Sequence, residues 1–134
     1  MNRSKNEMKL IVPKGSDNAP RKQLVIDFTV AILKQQLEII TDYAAESIIW
    51  YQLQENKKVE GLCSVLASVQ DETNTIECLE IYQVLTHGKF ASINGVISLG
   101  PNTIIDFCDV YTFSNAARSG KVKEIKSYRQ QSVK

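Results

Sequence analysis

An extended run, Ile104 to Phe113, holds the residue with the clearest capacity for chemistry. Strand alternation sets Asp109 on the same side as Ile105, Phe107, Tyr111 and Phe113. Desolvating a lone carboxylate among four large apolar side chains is costly, so such a group finds a partner, keeps its proton or serves a site. A protonated Asp109 could donate a hydrogen bond to a ligand carbonyl, and an ionised one could act as a base. The structural alternative is a carboxylate satisfied inside the core by a tyrosine, a histidine or a backbone amide. Trp50, in an earlier β-branched and aromatic run, is either a flat wall for an apolar ligand or core filling. Tyr82, Phe107 and Tyr111 are the other candidates for that wall.

His87, the one histidine, has a side chain suited to proton transfer near neutral pH. His87-Gly88 also reads as the centre of a hairpin, where histidine tolerates and glycine supplies a left-handed conformation. A nucleophile pair of Cys108 with His87 is disfavoured, because Cys108 alternates to the face opposite Asp109. One histidine, scattered acids and three cysteines without close spacing give no metal coordination set. The six glycines are dispersed rather than gathered into a phosphate-binding loop. Neither metal nor cofactor is therefore expected.

These residues need a scaffold, and 134 residues with 43% hydrophobic content suffice for one domain. Residues 1–18 are polar and hold Pro13, Gly15, Asp17 and Asn18, which predicts a mobile tail with a short extended Lys9 to Val12 segment. The single domain would then span 19–134. Asn18 as cap and Pro20 in the first turn open a helix whose stripe is Leu24, Phe28, Ala31 and Ile32. Leu37, Ile40 and Tyr43 continue into a short second helix. Ser47 to Leu53 reads as a strand, and Val59, Leu62, Val65, Leu66 and Val69 return to helical spacing. Four extended runs follow: Thr75 to Thr86, Lys89 to Leu99, Thr103 to Phe113 and Lys121 to Gln131. Three helices before a meander of long antiparallel strands is an α+β pattern, with the helices packed on one face of a curved sheet.

The net charge of +1 conceals a division. Residues 1–22 carry six bases and two acids, residues 118–134 six bases and one acid, and the middle four bases and twelve acids. Those basic ends lack stacking aromatics apart from Tyr128, and an acidic body repels phosphates, so no nucleic-acid partner is expected. Leu10-Ile11-Val12 is too short for the core of a signal peptide, and Leu24 to Leu33 is too short to span a bilayer. With three cysteines expected to stay reduced, a soluble cytoplasmic protein without a membrane partner is the expectation.

The order of elements, together with Thr86-His87-Gly88-Lys89, Asn94-Gly95, the run Phe107 to Phe113 and the run Gly120 to Tyr128, resembles the nuclear-transport-factor-two-like superfamily. It is most similar to the small bacterial SnoaL-like members. The resemblance covers about residues 9–131 and takes in Pro13-Lys14-Gly15, Asn18-Ala19-Pro20 and Ile49-Trp50. It implies a cone, in which a strongly bent sheet wraps around helices, a pocket opens between them, and the sheet's outer face often forms a dimer. The superfamily includes ketosteroid isomerase, scytalone dehydratase, polyketide cyclases and non-catalytic transport or assembly modules, so the fold assigns no single activity. Against the isomerase pattern, Asp109 falls where the protonated oxyanion-hole aspartate lies. The general base would fall near Tyr51 and the tyrosine of the first helix near Asp27, which leaves two of the three roles unfilled.

Two functional classes remain. The first is a protein that binds an apolar small molecule in a pocket polarised by Asp109, including a cofactor-independent isomerase, lyase or cyclase. The second is a non-catalytic dimerisation or interaction module whose cone is filled by side chains. An outer row of Ile104, Cys108 and Val110 predicts a homodimer under either reading.

Overall fold

The computed structural model describes residues 7–14 and 19–133. Its elements in chain order are β1 (Lys9–Ile11), α1 (Pro20–Lys34), α2 (Leu37–Tyr43), β2 (Ala44–Gln52), β3 (Lys57–Glu60) and α3 (Leu62–Gln70). The strands β4 (Cys78–His87), β5 (Phe90–Ser98), β6 (Thr103–Phe113) and β7 (Val122–Val133) complete the fold. All strands belong to one sheet in the order β1-β4-β5-β6-β7-β2-β3. The four long strands pair antiparallel, while β1 joins β4 and β2 joins β7 in parallel. This is the expected α+β cone, with three helices against a curled, mainly antiparallel sheet.

Alternation along the strands builds the core. Leu79, Ile81, Ala91, Ile93, Ile97, Phe107, Tyr111, Phe113, Val122 and Ile125 are buried on the concave side. α1 covers them with Val25, Ile26, Phe28, Ala31 and Ile32. This helix starts on Pro20, whose missing N–H costs nothing in a first turn. It ends on Gln35, held left-handed at φ 59. That conformation is uncommon for a side-chain-bearing residue, and here the side chain has a task. Gln35 Nε2 donates to the carbonyl oxygens of Val69 at 2.8 Å, Glu72 at 3.0 Å and Gln70 at 3.2 Å, satisfying the otherwise open end of α3. At the other end of α1, Arg21 lies 3.9 Å over the Phe113 ring, and its Nη2 donates to the Ala117 carbonyl at 2.6 Å.

The structure departs from the sequence reading at four places. Val59, expected in the third helix, is buried on β3, which pairs with β2; the helix begins only after Gly61, whose φ of 91 interrupts the helical path. β2 begins at Ala44, earlier than the expected Ser47, directly after α2. The β4–β5 turn is centred on Gly88-Lys89, with Gly88 at φ 60, so His87 is the last strand residue and pairs with Phe90. Within the segment expected as a tail, the expected extended stretch forms β1, but it pairs with β4 and the preceding Met8 is buried. The expected cap Asn18 lies outside the described residues.

Gly95 explains how β4 and β5 come together where the register shifts between Ile81 and Gln83. A Cβ at this position would overlap the Glu80 carbonyl oxygen and lie 3.0 Å from the Ile81 Cα, both backbone atoms without freedom to move aside. Gly95→Ala is therefore expected to destabilise the fold by about 1 to 3 kcal/mol, read as a lower urea midpoint. An unchanged midpoint would show that the two strands do not need this close approach.

Candidate ligand cleft

β6 and β7 set the interior polar groups by register. Asp109 stands opposite Ser127, flanked by the pairs Phe107–Arg129 and Tyr111–Ile125. Trp50, on β2, stands beside Ile125 on the far side of β7. Asp109 is 1% exposed, and Thr29 and Ser127 are the other buried polar residues among those described. Each has a side-chain neighbour of complementary kind. Thr29 Oγ1 and Tyr111 Oη share a hydrogen bond of 2.7 Å, and Trp50 Nε1 donates to Ser127 Oγ at 2.8 Å. Arg129 Nη2 makes a long 3.5 Å contact to Asp109 Oδ2. Asp109 Oδ1 and Arg129 Nε are both buried without a hydrogen-bond partner among the described residues.

This environment decides the protonation chemistry. Burial pushes the Asp109 carboxyl above the usual carboxylate range, and the opposing pull of Arg129 and Ser127 does not overcome it. Tyr111 is raised by burial and then by the charge of Asp109, so its hydroxyl keeps its proton. Burial and the neighbouring Asp109 also raise Cys108, which keeps this thiol out of the thiolate form a nucleophile needs.

Arg129 and Trp50 stand where the interior meets solvent. A cleft of two lobes, about 250 and 240 Å³, opens there, and Trp50, Gln52, Glu55, Glu72 and Arg129 line both. Ile32, Leu33, Ser68 and Val69 from α1 and α3 wall the first lobe, and Leu99, Ile105, Ser127 and Gln131 wall the second. Gln35, by tying the carbonyls at the end of α3, holds the loop that carries Asp71 and Glu72 to the rim. Where an apolar pocket was expected, the structure has a cleft with a charged mouth, because the turn after β2 and the loop after α3 both deliver acids to it.

The candidate residues divide accordingly. Trp50 borders both lobes, whereas Asp109 borders neither and reaches them through Ser127 and Arg129. Phe107 is buried, its ring centre 6.0 Å from the Arg129 guanidinium carbon. Tyr111 is packed edge-on against Phe28 and stacked with Phe113, away from the lining of either lobe. Tyr82 is 51% exposed, and it and the exposed His87 line neither lobe. No group of three or more potential metal ligands occurs among the described residues. Arg129 is the residue that sequence reasoning missed, because it sits in a basic terminal block that reads as solvated. Its signal was the alternation Ile125, Ser127, Arg129, Gln131, which sets it on the face of Asp109 once the two strands pair.

No protein-family model matches the chain, and no curated protein matches it. Solved structures do. A protein from Kribbella flavida, described as a candidate ketosteroid isomerase, superposes with a TM-score of 0.71 at 13% identity, over 89% of this chain and 84% of that one. A candidate SnoaL-like polyketide cyclase from Shewanella denitrificans gives 0.66 at 14% identity, over 81% and 89%. A Catenulispora acidiphila protein with a ketosteroid-isomerase-like fold, solved in complex with trimethylamine, gives 0.63 at 8% identity, over 79% and 84%. The fold is that of the nuclear-transport-factor-two-like superfamily, in the form its SnoaL-like and isomerase-like members share. At these identities the likeness establishes the fold alone.

The raised Asp109 pKa has a defined sign in stability. The folded state binds the proton more tightly than the unfolded chain, whose carboxyl titrates at about 3.9. The stabilising contribution is complete below that value and is lost as pH rises through the folded pKa. Asp109→Asn removes the titration while keeping an acceptor for Arg129. The parent's advantage over this variant is therefore expected to be greater at pH 5 than at pH 8 in urea melts. An advantage that grows towards pH 8 would make Asp109 an ionised structural acceptor.

Proposed function

We propose that the chain binds a small organic molecule in the cleft, against the Trp50 ring and the Arg129 guanidinium. Asp109 acts from behind the wall by holding Arg129 in place. The observation that carries this reading is the position of the Asp109–Arg129 pair, buried on one side and bordering the cleft on the other. Buried ion pairs contribute little net stability compared with apolar packing, which favours a role at a site over a role in the core. A cofactor-independent isomerase, lyase or cyclase would be the catalytic form of this reading. Binding without chemistry suits the geometry better, because Asp109 does not border either lobe and a proton would have to pass through Ser127 or Arg129. The free cysteines Cys63, Cys78 and Cys108 fit a cytoplasmic setting. No helix among the described residues is long and apolar enough to cross a membrane.

Trp50 is the one tryptophan, so intrinsic fluorescence reports on the cleft directly. A saturable change in its emission is expected with small aromatic or aliphatic probes; a response that stays flat or linear with all of them would contradict the reading.

The interaction-module reading has its own support on the convex face of the sheet. Tyr82, Leu85, Phe90 and Tyr128 are all about half exposed there, and the half-buried Cys108 and Val110 continue the same rows across β6. Apolar surface of this extent favours an isologous homodimer through the sheet, which is compatible with a cleft on the concave side. Sedimentation is expected to give twice the chain mass at micromolar concentration, and Val110→Arg to halve it. A parent chain that stays monomeric would exclude the dimer.

A further inference from the structure

Arg129 offers more donors than the protein uses. A guanidinium has five N–H groups. Here one makes a 3.5 Å contact to Asp109, Nε is buried with no partner among the described residues, and the side chain stands in the wall of both lobes. The planar fork of arginine matches a carboxylate edge to edge. Around it, Trp50 borders both lobes, Leu33 and Val69 border the first, and Leu99 and Ile105 border the second, giving apolar surface for a hydrocarbon body. The mouth has the opposite sign, with the exposed carboxylates of Glu55, Asp71 and Glu72 set against Lys57. A ligand with several negative charges would be repelled there, whereas a single charge on an apolar body is repelled least and ends at the interior cation.

Resting on the small-molecule reading above, we propose that the cleft takes an apolar monocarboxylate, its carboxylate held by Arg129 and its body laid against Trp50. This names the class of ligand and separates it from neutral ketones, amines and phosphates.

The test is a Trp50 fluorescence titration of the full chain with four probes: benzoate, its neutral isostere benzamide, benzylamine and inorganic phosphate. Benzoate is expected to saturate at a concentration about tenfold lower than benzamide, with benzylamine weaker still and phosphate silent. Arg129→Lys keeps a cation beside Asp109 but loses the fork, and should weaken benzoate several-fold more than it weakens benzamide. Arg129→Gln should abolish the preference for benzoate, and a urea midpoint in both variants close to that of the parent shows that the chain is still folded. Benzoate no tighter than benzamide, a preference for benzylamine, or a benzoate preference that survives Arg129→Gln would each overturn the carboxylate proposal while leaving the cleft reading standing. No saturable response to any probe would overturn both.

Discussion

Keeping the Asp109 carboxyl out of water is the constraint around which the interior polar groups are arranged. The strand that carries it must also bury Phe107, Tyr111 and Phe113, so the alternation that makes the core places the carboxyl inside it. Three neighbours answer that burial. Ser127 stands opposite in register, Trp50 fixes the serine by donating to its oxygen, and Arg129 brings a positive charge from the next inward position of β7. None of them compensates fully, because one carboxylate oxygen and one guanidinium nitrogen are left without partners among the described residues. An incompletely satisfied buried network is a poor way to stabilise a core. It is a reasonable way to keep a cation poised at the edge of a cleft.

The remainder of the fold gives that edge its shape. β2 enters parallel to β7 and sets Trp50 beside Ile125, and the turn that follows brings Glu55 to the mouth. On the opposite side the loop after α3 is held by a single side chain, Gln35, whose own backbone is left-handed so that its amide can reach three carbonyls. The two helix ends that it joins are distant in sequence, and the rim of the cleft depends on this link. Curvature comes from the sheet itself, where Gly95 lets the backbone of β4 press close at the register shift.

Much of this was legible in the sequence where a local pattern had no competing reading. The two-residue alternation of Thr103 to Phe113 gave both the strand and the position of Asp109, and Leu24, Phe28, Ala31 and Ile32 gave the face of the first helix. Val59 was assigned to the third helix because its spacing to Leu62 and Val65 is helical; the left-handed glycine between them, Gly61, outweighed that spacing. His87 was placed at the centre of a turn that lies one residue further on, since Gly88 is the residue that needs positive φ. Arg129 was hard to read for a different reason. Only the alternation from Ile125 separates this inward cation from its exposed neighbour Lys126 in a basic block, and its role exists only in the pairing of β6 with β7. Tyr82 shows the converse, an aromatic on a strand that turns to the outer face at an irregularity in register.

The central claim is that Asp109 is a poised group and not a saturated salt-bridge acceptor. Following the Asp109 side-chain carboxyl by carbon-detected NMR as pH is lowered tests this most directly. A midpoint above the ordinary aspartate value of about 3.9 is the predicted result. A midpoint below it would mean that Arg129 and Ser127 hold the carboxylate fully ionised, and the pair would then be a structural element of the core with no charge held in reserve for a ligand.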